Sequence, residues 1–296
     1  MRNLLLTIGL LLTALPALEA QAPAGESEAT ARREEGLELL RQGDFQAALV
    51  ACADAYRKDP DNPTNLKHLM AVRSMLMTRK ALSTVEEQAR WERYARTLRT
   101  LYLSYRVHQE LLPLDTQLHA RLKSAETAVL LAGTQLRQGL DREAADLLGG
   151  LEEPQRSLHA RILEGIARAR LGEKEQASAL LEQSPLPESP GPGTLFDKAR
   201  LTSLLGQPEL ALGHLRGALE STPPSSIEEL REQARTHVDL AAARDHAGFA
   251  DSLATASTVA QSSCSGGSGC GSCSMRDSCP SAQKHHATEG EEKESP

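Results

Sequence analysis

The sequence predicts an all-α protein, a right-handed α–α superhelix of stacked helical hairpins. Hydrophobic residues make up 40% of the 296 residues and aromatic residues only 3%. A core must therefore be built mainly from Leu and Ala, which suit helix packing better than sheet packing. The glycines at positions 139, 172 and 206 are 33 and 34 residues apart and separate apolar helical segments. Such a period is typical of repeat proteins.

The first 20 residues have the pattern of a secretory signal peptide. Arg2 supplies the positive start, residues 4–15 are apolar, and small residues near Ala20 offer a cleavage site. The apolar run is too short for a stable membrane span, although an uncleaved anchor is the alternative. We expect a secreted or periplasmic protein without a stable membrane span after cleavage. Residues 21–28 are predicted to be a polar linker.

Four segments share one pattern around a glycine. A small residue precedes the glycine by seven positions, an Ala follows it by five, and an apolar residue comes four positions later. The sets are Gly36/Gly43/Ala48/Cys52, Ala132/Gly139/Ala144/Leu148, Gly165/Gly172/Ala177/Leu181 and Ala199/Gly206/Ala211/Leu215. The pattern predicts that each glycine ends a helix in the left-handed conformation. The small residues would let two helices approach closely.

The first segment resembles the tetratricopeptide repeat (TPR) family. The matching residues are Gly36, Leu39, Gly43, Phe45, Ala48, Ala55, Tyr56 and Pro60. The resemblance covers residues 29–60 and about 125–223. The later units depart from the family pattern, because Asp141, Lys174 and Pro208 stand where it has an aromatic residue. The resemblance implies a TPR-like domain over 29–256 that binds a protein or peptide in a groove lined by the first helices.

Residues 61–124 form a predicted long-helix insert within this domain. They contain no Gly, and the spacing predicts helices over 63–80, 84–111 and 115–138. Ser83 to Glu86 is a predicted capping box, and Pro113 should separate the last two helices. Trp91, Tyr102 and Tyr105 share one helix face, as either a docking surface or a local core. Beyond the repeats, helices from Ser225 or Ser226 to about residue 256 should cap the last hairpin.

The helical region contains no recognisable catalytic motif, so we expect a non-enzymatic protein. Seven of the nine histidines lie in this region, and their spacing is not that of a metal-binding motif. They are His68, His108, His119, His159, His214, His237 and His246. The net charge is −7, and residues 1–20 contain one Arg and one Glu, so their removal leaves it unchanged. This acidity argues against a nucleic-acid partner.

Three arginines recur two positions before a repeat glycine. They are Arg41, Arg137 and Arg170. In the TPR family the first helices line a concave groove, so these side chains are candidates for binding a carboxylate or an acidic peptide. The alternative is that a cation in the last turn of a helix is stabilised by the helix dipole and has no ligand.

Residues 257–296 are a predicted Cys-rich, low-complexity tail that cannot bury a core. Cys264, Cys270, Cys273 and Cys279 are spaced C-x5-C-x2-C-x5-C. Three interpretations remain open: two disulfides in an oxidising compartment, a zinc or copper(I) site, or a modified or sorting segment. The sequence thus favours a binding scaffold. The alternative is a metal-handling or thiol-redox protein whose tail does the chemistry.

Intact mass spectrometry of the exported protein distinguishes the three states of the tail. We expect two disulfides, which lower the mass by four hydrogen atoms until a reductant is added. Metal retained in native spectra and removed by a chelator would instead identify a thiolate site. Four free thiols without metal would contradict both forms of tail chemistry.

Overall fold

The computed structural model describes residues 24–260, with side chains from residue 28 onwards. Within that range the chain forms α-helices, short 3-10 turns and loops, and no β-strand. The predicted all-α class is confirmed. The described residues form two compact units, with the division between Thr127 and Ala128, and each unit is described separately. The predicted domain bounds of 29–256 stay a prediction.

Between residues 24 and 127, the first unit contains five complete helices. They are α1 (Ala24–Arg41), α2 (Phe45–Lys58), α3 (Pro63–Thr84), α4 (Gln88–Ser104) and α5 (Leu111–Leu122). The predicted linker over 21–28 is too long, because α1 already begins at Ala24. A 2.5 Å ion pair between Glu28 and Lys58 ties the start of α1 to the end of α2. This long-range contact lies outside the repeat pattern and was not visible from local sequence.

The turn between α1 and α2 has the predicted geometry. Gly43 has a φ of 81°, a conformation that Gly adopts at little cost. Asp44 then caps α2 by accepting a hydrogen bond from the backbone N–H of Ala47 at 3.0 Å. A Cβ atom at Gly36 would lie 2.7 Å from the Cys52 Sγ atom. Gly36 therefore permits the close approach of α1 and α2.

The start of α4 differs from the prediction, and the capping box is wrong. Ser83 and Thr84 belong to the last turn of α3, and both side chains donate to the carbonyl of Lys80. Their hydroxyls thus bond back into α3 and do not cap the next helix. The helix α4 begins at Gln88, and its N-cap residue Glu87 makes no side-chain capping bond.

The two later helices of the insert are also shorter than predicted. The chain leaves α4 after Ser104, where Arg106 has a φ of 59°. Pro113 lies in the first turn of α5, where a missing N–H is tolerated, so it does not separate two helices. The helix predicted over 115–138 breaks at Lys123, whose φ is 47°. A new helix starts beyond Ser124, whose side chain caps it by accepting from the Thr127 N–H at 3.2 Å.

The aromatic face of α4 forms a local core and not an exposed docking surface. Trp91 and Tyr102 are fully buried, and the rings of Phe45 and Tyr102 lie 5.9 Å apart. The same cluster includes Val72 and Met75 of α3. The aromatic residues therefore join the insert to the first hairpin.

Up to residue 260, where the described chain ends, the second unit contains three hairpins and a C-terminal group of short helices. The elements are α6 (Ala125–Arg137), α7 (Asp141–Gly149), α8 (Leu158–Arg170), α9 (Lys174–Glu182), α10 (Pro192–Leu204), α11 (Pro208–Glu220), α12 (Ile227–Thr236), α13 (Ala241–Arg244) and α14 (Phe249–Leu253). The boundary between the two units falls in the first turn of α6. The loop glycines Gly139, Gly172 and Gly206 have φ values of 74°, 82° and 77°, as predicted.

The small residues of these hairpins are buried where helices meet. Ala144, Ala177 and Ala211 are fully buried. A Cβ atom at Gly165 would lie 2.9 Å from Leu201, so this glycine faces α10 of the following hairpin. The sequence predicted a close contact at Gly165 between the two helices of one hairpin. The structure shows a close contact at Gly165, but the contacting helix belongs to the next hairpin.

The C-terminal cap is confirmed but is broken into short pieces. A buried cluster joins it to α10 and α11, and its cap residues are Ile227, Ala234, Leu240, Ala243 and Leu253. The chain turns at His237, which has extended backbone, and Val238–Leu240 form a 3-10 turn against α10. This turn brings Asp239 to the arginines described below, which a continuous helix to residue 256 would not do.

Replacing Gly36 with Ala tests the close contact of α1 and α2. We expect Gly36→Ala to lower the free energy of unfolding by about 1–3 kcal/mol, because the new methyl group meets the Cys52 Sγ atom. The loss should shrink in a Cys52→Ala background, where that sulfur is absent. Urea denaturation followed by Trp91 fluorescence measures both.

Gly133→Ala is the matched control for a helical glycine. Its Cβ would lie 3.8 Å from Leu163, an ordinary contact. We expect this change to be neutral or to stabilise by up to about 1 kcal/mol, as measured by circular dichroism. An equal cost of Gly36→Ala with and without the Cys52 sulfur would contradict the steric explanation.

Candidate protein-interaction site

The three candidate arginines each occupy the last residue of a helix. Arg41 ends α1 in the first unit, whereas Arg137 and Arg170 end α6 and α8 in the second. Arg41 is exposed and donates to Glu38 at 3.1 Å. A cation at this position interacts favourably with the negative end of the helix dipole. The surroundings of Arg41 therefore fit either interpretation of the pattern.

Arg137 is exposed, and its guanidinium donates to the hydroxyl of Thr134 at 3.3 Å. Thr134 itself is buried. The guanidinium of Arg170 reaches the same helix end, because it donates to the carbonyl of Leu136 at 2.7 Å. The structure thus places Arg137 and Arg170 at the same end of α6.

Arg170 is largely buried and surrounded by acceptors from three elements. Besides Leu136, it donates to Asp141 at 2.9 Å. It also holds Asp239 through two parallel bonds of 2.8 and 3.0 Å. Two parallel N–H bonds to one carboxylate are the geometry in which Arg recognises an anion best. The guanidinium is therefore occupied by carboxylates of its own chain.

Asp239 also accepts a hydrogen bond from a second arginine. Arg200 of α10 donates to Asp239 at 2.9 Å and to Asp197 at 2.6 Å. Asp197 also lies 3.2 Å from a ring nitrogen of His159. Burial raises the pKa of Asp239, but the hydrogen bonds and charges of Arg170 and Arg200 lower it more, so its pKa lies below the usual range. The Asp239 carboxylate is thus ionised at neutral pH.

His237 borders this cluster in its neutral form. Burial, together with the positive charge of Arg200, lowers the pKa of His237 to about 4, against the opposing charge of Asp239. Its ring meets Phe196 edge-on, with centroids 6.0 Å apart. Its backbone carbonyl accepts from Arg244. These contacts fix the turn that carries Asp239.

The cluster shows that arginines of this region can bind a carboxylate. Arg170 and Arg200 form a pair of guanidiniums that binds one carboxylate, and the bound carboxylate comes from residue 239. Arg200 and Asp239 were missed from sequence because they lie 39 residues apart, and Arg170 lies 69 residues from Asp239. No local pattern marks such a pairing. Peptide binding by Arg41, Arg137 or Arg170 stays a prediction.

The predicted metal-binding cysteines of the tail, Cys264, Cys270, Cys273 and Cys279, lie outside the described residues. Within residues 24–260, no group of three His, Cys, Asp or Glu side chains is arranged to hold a metal ion. In the same range, no helix is both long and apolar enough to cross a membrane. Cys52 is fully buried in the first unit, and burial raises the pKa of its thiol to about 11.

Two solved structures similar to this chain are tetratricopeptide repeat proteins. One, a thermophilic TPR protein of Thermus thermophilus, is 21% identical, with a TM-score of 0.36, and covers 70% of this chain and 97% of its own. The other, from Parabacteroides merdae, is 16% identical, with a TM-score of 0.41, and covers 77% and 98%. No family model matches the sequence, and no curated protein does.

Asp239→Asn tests the arginine cluster. We expect the free energy of unfolding to fall by about 3 kcal/mol, because two largely buried arginines lose their shared counter-charge. Asp245→Asn, at a nearby exposed carboxylate, should change it by less than about 0.5 kcal/mol. Urea denaturation followed by circular dichroism measures both. A loss for Asp239→Asn as small as that for Asp245→Asn would contradict the role of Asp239 as the shared counter-charge.

The neutral His237 predicts a loss of stability in mild acid. Its pKa is about 4 in the folded chain and about 6.5 unfolded, so the unfolded state binds more protons between these values. Stability is complete above about pH 6.5 and falls by about 1–3 kcal/mol as the pH approaches 4. The groups facing His237 are Arg170 of α8, Arg200 and Asp197 of α10, and Asp239.

His237→Gln isolates this effect from that of other histidines, since burial also lowers the pKa of His214. We expect the variant to lose less stability than the wild type between about pH 7.5 and about pH 5. Urea titrations at the two pH values give the comparison. A pH dependence identical in both proteins would exclude His237 as its source.

Proposed function

We propose that the chain is a non-enzymatic scaffold that binds a protein or peptide partner. The observation that supports this proposal is the stacking of successive helical hairpins in the second unit, where α8 packs against α7, α9 and α10. In the second unit, the turns at Gly139, Gly172 and Gly206 reverse the chain every 33 or 34 residues. Stacked hairpins of this kind present rows of helix faces, and repeat proteins use such rows as extended binding surfaces.

We also propose that the scaffold works outside the cytoplasm, as a secreted or periplasmic protein. The support for export is the leader pattern of residues 1–20, which lies outside the described residues. Sequencing the N-terminus of the exported chain tests signal-peptide cleavage independently of the scaffold proposal. A chain that retains residues 1–20 would contradict the cleavage step.

The metal or thiol-redox alternative depends entirely on residues 257–296. Only residues 257–260 of that segment are described, and they contain no cysteine. The spacing of the four tail cysteines is therefore its whole basis, and the intact-mass experiment above decides it. The scaffold proposal does not depend on that outcome, because its support lies in the helical hairpins.

Affinity capture from the exported fraction of the producing cell tests the scaffold proposal. We expect the tagged full chain to retain a partner that co-elutes at a fixed ratio in size-exclusion chromatography. An excess of untagged chain should compete the partner away, which separates specific binding from adsorption. If no protein is retained above the competed background, the scaffold proposal fails.

A further inference from the structure

Among the described helices of eight or more residues, α3 alone contains no acidic side chain. The 22 residues of α3 include no Asp or Glu, while they include Lys67, Arg73, Arg79 and Lys80. The complete chain, in contrast, has a net charge of −7. A cationic helix in an acidic protein concentrates positive charge in one place.

The same helix exposes large apolar side chains. Leu66 is 42% exposed, Met70 48% and Met77 63%. Because a helix advances 100° per residue, positions 66, 70 and 77 fall on one side of α3. The opposite side is buried in the core of the first unit through Val72 and Met75. The apolar side chains therefore form a line along the solvent-facing side of α3.

The cations of α3 have two different roles. Arg79 is used internally, because its guanidinium donates to Tyr102 at 2.9 Å and to Glu110 at 2.7 Å and lies 4.4 Å from the centroid of the Phe45 ring. Arg73 and Lys80, in contrast, are exposed, and within residues 24–260 neither forms an ion pair. They are seven residues apart, so they lie along the same side of the apolar line.

Single exposed apolar residues are ordinary on protein surfaces. Here three of them align with two cations that have no counter-charge among the described residues. Met side chains are flexible and adapt to the shape of a partner, which suits them to binding helices of differing sequence. A phosphate-rich ligand would use the cations and leave the apolar line in water. A helix with apolar and acidic residues would use both.

We propose that this surface, defined as the α3 face by Leu66, Met70, Arg73, Met77 and Lys80, binds an amphipathic helix of a partner protein. The partner helix would present apolar residues at positions i, i+4, i+7 and i+11, with Asp or Glu beside them. Its apolar residues would cover the Met side chains, and its carboxylates would pair with Arg73 and Lys80. This assignment rests on the proposed scaffold function. It names the surface that the scaffold would use and the class of partner that it would bind.

A designed peptide tests the α3 face in the full-length chain. The probe is a fluorescein-labelled helical peptide of about five turns, with Leu at the four apolar positions and Glu beside them. Two control peptides are a twin with Lys in place of Glu and a scrambled sequence of the same composition. Fluorescence anisotropy gives Kd for each. We expect the acidic peptide to bind at least about tenfold more tightly than either control, and less tightly as salt is added.

Variants of the chain then locate the binding surface. Arg73→Glu with Lys80→Glu should raise Kd for the acidic peptide at least about tenfold and shift the preference towards the Lys twin. Met70→Gln with Met77→Gln should also weaken binding while leaving the charge unchanged. Arg90→Glu with Arg93→Glu, at exposed cations of α4, is the matched control and should leave Kd nearly unchanged.

Several results would overturn the assignment. Absence of binding by the acidic peptide, equal binding of the three peptides, or a Kd unaffected by the α3 variants would each do so. Peptide binding that begins only after removal of residues 261–296 would show that the chain's own tail occupies the face. Dimerisation in light scattering that Arg73→Glu with Lys80→Glu abolishes would identify a second copy as the occupant.

The capture experiment separates this assignment from the scaffold proposal. A partner that the wild type retains and the Arg73→Glu/Lys80→Glu variant also retains shows that another surface binds it, so only the α3 assignment fails. No partner for the wild type, despite binding of the acidic peptide, would contradict the scaffold proposal and leave the peptide-binding face established.

Discussion

The close approach of neighbouring helices is the constraint on which the rest of this structure depends. A core of Leu and Ala, with few aromatic residues, gains enough dispersion energy only when helix backbones come near each other. Gly36 and Gly165 make this approach possible, because any Cβ atom there would lie within 3 Å of a neighbouring side-chain atom. The left-handed glycines at the turns then set the direction in which each second helix returns.

The second unit adds a polar constraint to this apolar packing. Two arginines from consecutive hairpins, Arg170 and Arg200, meet on the single carboxylate of Asp239. Buried ion pairs contribute little net stability compared with apolar groups of the same shape, but they disfavour any arrangement that leaves one charge alone. The cluster therefore specifies where the C-terminal turn lies against α8 and α10. Apolar contacts alone are less directional and would permit more than one position.

The features that were predictable from sequence are those with a local physical cause. The φ of Gly172 follows from the backbone freedom of glycine, and the burial of Ala177 follows from the period of the hairpin. The break at Lys123 was not predictable, because a lysine with positive φ carries no sequence signal. The capping role given to Ser83 failed because its hydroxyl has a closer acceptor in the preceding turn. Local propensity does not decide between two such partners.

In the candidate site, too, the local features were predictable from sequence and the long-range contacts were not. The recurrence of Arg41, Arg137 and Arg170 is a local observation and was visible at once. Their partners are not local: Arg170 is satisfied by a residue 69 positions away, whereas Arg41 bonds within its own helix turn. The α3 face was not predicted from sequence, because the exposure of an apolar helix residue depends on how the helix packs. Only the packing of the helix shows that Met70 and Met77 face solvent.

The burial of Cys52 bears on the proposed export, because an exported chain would meet an oxidising environment. Thiol–disulfide exchange proceeds through the thiolate, and a thiol with a pKa of about 11 offers about one thiolate in ten thousand molecules at pH 7. Its sulfur is also closed to solvent by α1. Once the first unit has folded, the odd fifth cysteine is removed from the pool of exchangeable thiols. The remaining even number can pair among themselves without a mispairing competitor, provided that folding precedes oxidation.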